Sequence, residues 1–89
     1  MAQAVAKEDA ATLALRALGW TLAEPARAER LLAVTGIAPT DLRARAEEPA
    51  VLAATLGFLL AHEADLVACA EAIGVRPDAL ADAAQRLES

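Results

Sequence analysis

Eighty-nine residues are enough for one domain around a single core, with no room for a second. Twenty-six Ala and fourteen Leu stand against one Phe, one Trp and no Tyr; both residues lose little freedom on winding, so the composition predicts an all-α fold whose stability comes from close helix approach. The net charge of −5 is uneven, with six basic and five acidic side chains in residues 1–46 against two and eight in residues 47–89, which makes nucleic acid an unfavourable partner for the second half.

After a loose tail over residues 1–8, a single helical domain is predicted over residues 9–89. Asp9 is placed to cap a first helix running to about Leu22, with Leu13, Ala17, Leu18 and Leu22 on its inner side. Pro25 opens a second helix that carries Leu31, Leu32 and Val34 and stops at Gly36, a natural left-handed terminator. Pro39 opens a short third helix through Leu42 to about Glu47.

Pro49 begins the central element. The run from Ala50 to Ala61 carries no charge on any face, so as a helix it must be covered all round. It is far short of the roughly 20 residues needed to cross a bilayer, and is read as core, with no membrane association expected. A break near His62 leads to a fifth helix with Leu66, Cys69, Ala70 and Ile73 as its apolar stripe, ending at Gly74. Pro77 opens a sixth, with Leu80, Ala84 and Leu87 facing inward. The whole is a compact bundle of about six short helices joined by short connections.

Shifted by 38 positions, the chain matches itself: Leu18-Gly19-Trp20 falls on Leu56-Gly57-Phe58, Gly36 on Gly74, Pro39 on Pro77 and Leu42 on Leu80. Two pseudo-equivalent three-helix units, about 10–48 and 48–88, are therefore expected, neither large enough to bury a core alone. Gly19 and Gly57, each within a helix, are expected where helices cross closely.

The polar residues offer little chemistry. His62, Glu63 and Asp65 match no metal-ligand spacing, since Leu66 stands where a zinc helix would carry its second His. Cys69 has no internal disulfide partner, which fits a reducing compartment. Its apolar neighbours are expected to raise its pKa, the reverse of what a nucleophile needs. Trp20 lies one turn from Arg16, about 40° around the helix; it closes one end of the core, stacks with Arg16, or serves as an aromatic anchor for a partner. Residues 66–88 have the spacing of a helix-turn-helix, with Ala70 and Gly74 at the corner. The would-be recognition helix carries Asp78, Asp82 and Glu88 against Arg86 alone, which opposes DNA phosphate.

The run Leu32-Ala33-Val34-Thr35-Gly36-Ile37-Ala38-Pro39-Thr40-Asp41-Leu42-Arg43-Ala44-Arg45-Ala46, with Phe58-Leu59-Leu60-Ala61-His62-Glu63 and Gly74, resembles a family of small bacterial helical proteins catalogued as domain of unknown function 3572. The resemblance spans about Ala10 to Leu87 and implies the helical fold with no established activity. The residues as a whole suggest a cytoplasmic, non-enzymatic interaction or adaptor module, with no catalytic, cofactor or metal residues expected. Glu63, Asp65, Glu71, Asp78 and Asp82 on the last two helices are the candidate partner surface, suited to a protein with a basic patch, with Trp20 as a possible anchor. The competing reading is a DNA-binding regulator using residues 66–88.

Overall fold

The computed structural model describes residues 7–88, and the tail expected over 1–8 falls largely outside them. Among the described residues there are six helices and no strand: α1 (Lys7–Leu22), α2 (Pro25–Thr35), α3 (Pro39–Ala44), α4 (Pro49–Leu60), α5 (Glu63–Ile73) and α6 (Pro77–Glu88). Local chemistry accounts for most of these limits. All four prolines open helices, where the missing N–H would have had no partner. The residue before a proline is pushed into extended backbone, and Glu24, Ala38 and Glu48 have ψ of 124°, 146° and 136°. Gly36 and Gly74 end α2 and α5 in the left-handed region, with φ of 73° and 78°.

Helices α1, α4 and α6 pack against one another and form the centre, while α5 lies on all three and α2 on α1 and α4. Ala10, Ala14, Ala17 and Leu18 of α1 meet Leu52, Leu56, Phe58 and Leu59 of α4 and Leu80, Ala83, Ala84 and Leu87 of α6 in one core. The alanines let the helix axes approach, so dispersion contact replaces the large side chains that the composition lacks. The buried Thr21 and Thr55 hydroxyls each donate to the carbonyl four residues earlier, Ala17 at 2.9 Å and Val51 at 3.0 Å, so neither is left unsatisfied.

Adding 38 to the limits of α2 gives those of α5, the last residue of α1 maps onto that of α4, and the first residue of α3 onto that of α6. Buried Ala14, Ala17, Leu18, Thr21, Leu31 and Leu42 fall on Leu52, Thr55, Leu56, Leu59, Cys69 and Leu80, which are buried as well.

Several expectations are corrected. α1 begins two residues ahead of Asp9, which lies within the first turn, where its carboxylate still suits the helix dipole. α3 ends at Ala44 and not near Glu47, because Pro49 holds Glu48 extended and the chain spends residues 45–48 on a turn, with Glu48 N–H on the Arg45 carbonyl. α4 is not covered all round: Ala50, Gly57, Leu60 and Ala61 lie along an exposed stripe of mostly small residues. Gly19 and Gly57 are exposed, and a Cβ at either would meet nothing within 4 Å, so no close crossing requires them. Leu22 is 40% exposed, not inward-facing.

Among the described residues no single helix is long and apolar enough to cross a membrane, and the apolar pair α4 and α5 is bent by 115° at its break.

Candidate functional site

The five acidic residues singled out on α5 and α6 do not behave alike. Asp65, half-buried at the start of α5, pairs with Arg30 of α2 at 3.0 Å and joins the two halves of the chain. Asp78 pairs with Arg76 at 3.4 Å and Asp82 with Arg86 at 2.9 Å. Glu63 and Glu71 have no such partner among the described residues. They stand at i and i+8 on the exposed side of α5 with Val67, 41% exposed, midway between them. The open part of the acidic face is therefore one helix side with an apolar centre.

Trp20 is half-buried and its ring is covered by Arg27, whose guanidinium carbon lies 3.6 Å from the ring centroid. Arg27 also donates to the Trp20 carbonyl at 2.5 Å and reaches Glu24 at 3.4 Å. Arg16, the stacking partner suggested by spacing, instead donates to the Ile73 carbonyl at 2.6 Å. Neither α5 nor α1 has a basic residue in its own last turn, so an arginine from another helix serves the carbonyl end of each, Arg16 for α5 and Arg27 for α1. Phe58, 38 positions after Trp20, is 2% exposed and stacks obliquely on His62 at 4.7 Å.

His62 Nδ1 donates to the Phe58 carbonyl at 2.7 Å, a local bond that closes α4. Among the described residues no three His, Cys, Asp or Glu side chains come together as a metal set. Cys69 is fully buried; burial pushes its thiol above the ordinary value, and the Arg27 charge pulls the other way. Such a thiol stays protonated and inert at neutral pH.

The helix-turn-helix spacing is present as a helical corner, but Leu80, Ala83, Ala84 and Leu87 of α6 face the core. Its exposed residues include Asp78, Gln85 and Glu88, and Arg86 is held by Asp82.

A second surface feature lies at the other end of the charge gradient. Leu22, Leu32, Pro39, Leu42, Arg43 and Ala46 line an apolar groove of about 380 Å³ between the end of α1, α2 and α3. Arg43 is exposed at its edge and makes no hydrogen bond or ion pair among the described residues.

The model of the family described as a protein of unknown function, DUF3572, matches residues 7–89. The chain belongs to the DUF3572 family. No curated protein and no solved structure matches it.

For this DUF3572 chain, two features escaped the sequence reading. The Arg27 stack was visible only as a cation seven residues from Trp20, across a corner whose angle the sequence does not state. The groove depends on α3 stopping early, and the signal was Pro49: once Glu48 must be extended, a four-residue turn has to be taken from the end of α3.

Proposed function

We propose that this protein is a non-enzymatic, cytoplasmic interaction module built from two pseudo-equivalent three-helix units, and that the exposed side of α5 receives a basic protein surface. The observation that carries the reading is the arrangement of Glu63, Val67 and Glu71: two carboxylates without ion pairs among the described residues flank an exposed apolar side chain on one helix face. Carboxylates of this kind raise encounter rates with a positive partner, and an apolar centre gives the contact area that holds it. The recurrence of helix limits and buried positions at an offset of 38 supports the two-unit reading. The buried free thiol of Cys69 is compatible with a reducing compartment.

The acidic outer side of α6 favours a protein over DNA as the partner. The test begins with affinity capture of partners on the full chain at low salt, then compares association rates for the parent and for a Glu63→Gln/Glu71→Gln variant. The expected result is slower association of the variant, with the difference vanishing as salt is raised. Equal rates at low salt defeat the proposal, and salt-sensitive micromolar binding of mixed DNA by the parent would favour the regulator instead.

A further inference from the structure

Among the arginines of the first half, one stands without a partner among the described residues. Of the five, Arg16 is held by the Ile73 carbonyl, Arg27 by Trp20 and Glu24, Arg30 by Asp65 and Arg45 by Glu48. Arg43 alone makes no such contact among the described residues, and it stands at the edge of the apolar groove. The walls around it are carbon: Leu22, Leu32, Pro39, Leu42 and Ala46. An apolar trough with one free guanidinium at its rim fits an occupant that is apolar on one side and carries a carboxylate beside that side.

The exposure of the groove walls indicates the occupant's shape. The positions 38 residues on from Leu32, Leu42 and Ala46 are Ala70, Leu80 and Ala84, all buried. There α6 runs twelve residues and packs on α1, α4 and α5, whereas α3 stops after six. Leu32 and Ala46 are partly exposed where Ala70 and Ala84 are buried, while Leu22 and Pro39 are as open as Leu60 and Pro77. Leu22 and Pro39 remain exposed on the groove, so an occupant is covered on one side only. A small molecule binds well when most of its surface is enclosed, whereas an amphipathic helix needs to bury only one face.

We infer that the groove of Leu22, Leu32, Leu42 and Ala46 is a docking site for an acidic amphipathic helix of a partner protein, with two apolar side chains one turn apart in the trough and a neighbouring Asp or Glu on Arg43. The site is separate from the α5 face and has the opposite charge preference, so it stands or falls independently of the function proposed for that face.

A display library of twelve-residue helices, randomised at an apolar pair one turn apart and at the flanking polar positions, is selected on the full chain. Recovered peptides are expected to carry the apolar pair with Asp or Glu beside it, and to shift the methyl resonances of Leu22, Leu32 and Leu42. Arg43→Glu, at an exposed position, should weaken them about tenfold or more, and Glu63→Gln/Glu71→Gln should leave them unchanged. The inference is overturned if no peptide is enriched, if the enriched ones carry Lys or Arg beside the apolar pair, or if the methyl shifts fall elsewhere. It is overturned equally if decanoate, a simple apolar carboxylate, fills the groove and displaces the peptides at lower concentration than they bind.

Discussion

The two glycine corners of the chain start alike and end differently. Gly36 and Gly74 adopt the same left-handed conformation, each precedes an apolar residue packed on the core, Ile37 or Val75, and each leads to a helix opened by proline. Yet Gly36 closes α2 with its own N–H on the Leu32 carbonyl, assisted by the Thr35 hydroxyl accepting from Ile37 N–H, whereas at Gly74 the Val75 N–H also turns back, onto Ala70. After the second corner α6 lies along α1 and α4 with four buried residues; after the first, α3 is anchored by Leu42 alone. Equal local signals therefore do not guarantee equal packing. The length of helix beyond the corner decides how much apolar surface is covered, and in the first half a turn interrupts the helix before it can cover more.

The largest effects should track this difference in burial. Leu56→Ala, Phe58→Ala and Leu80→Ala each remove side chains that α1, α4 and α6 enclose, and should cost on the order of 3 kcal/mol. Leu42→Ala, at the edge where the surroundings can relax, should cost about 2 kcal/mol. Its signature should be local: amide exchange should accelerate first in residues 39–44 while α4 and α6 keep their protection. Urea midpoints and hydrogen exchange on the four variants check this. A Leu42→Ala variant that loses as much stability as Leu80→Ala, with uniform exchange, would make α3 as integral as α6.

The helix limits were readable because they rest on neighbours in sequence. Proline sets the residue before it and glycine permits a reversed φ, so Pro25, Gly36, Gly74 and Pro77 could each be placed without a tertiary structure. Burial on α4 was less readable. An uncharged helix must lose most of its surface to solvent exclusion, but which side stays open depends on how many neighbours arrive, and here Ala50, Gly57 and Leu60 are left outside. Arginine partners were unreadable for a different reason: Arg16 bonds a carbonyl 57 residues away. Long side chains with several donors select among acceptors only after the backbone has been assembled.

A smaller effect separates the four glycines. At Gly36 and Gly74 an alanine would be forced to a positive φ, costing on the order of 1 kcal/mol even though space is open around both. At Gly19 and Gly57 the backbone is already helical and a Cβ would meet nothing within 4 Å, so alanine should stabilise by roughly 0.5–1 kcal/mol through the unfolded chain alone. Thermal midpoints should fall for the first pair and rise for the second. If Gly57→Ala lowered the midpoint, a close neighbour would have to exist at that exposed face, such as a second copy of the protein.

The smallest effect separates Leu31 from Cys69, two buried residues 38 positions apart, because only one can titrate. Burial holds the Cys69 thiol above its ordinary value, with Arg27 opposing, so the unfolded chain loses its thiol proton at lower pH than the folded one. Between those two values the unfolded state binds fewer protons, and linkage then requires stability to fall as pH rises. The window opens near the unfolded thiol value, about pH 8.5. Cys69→Ala should therefore differ from the parent by a constant amount between pH 6 and 8 and gain relative to it above that, as the parent alone gives up stability. Replacing Arg27 with Met removes the opposing cation and should carry the parent's decline to higher pH. Urea titrations of the parent and Cys69→Ala from pH 6 to 10 measure the gap directly. A gap that stays constant to pH 10 would mean that the folded thiol ionises as freely as the unfolded one, and that Cys69 is less enclosed than Leu31.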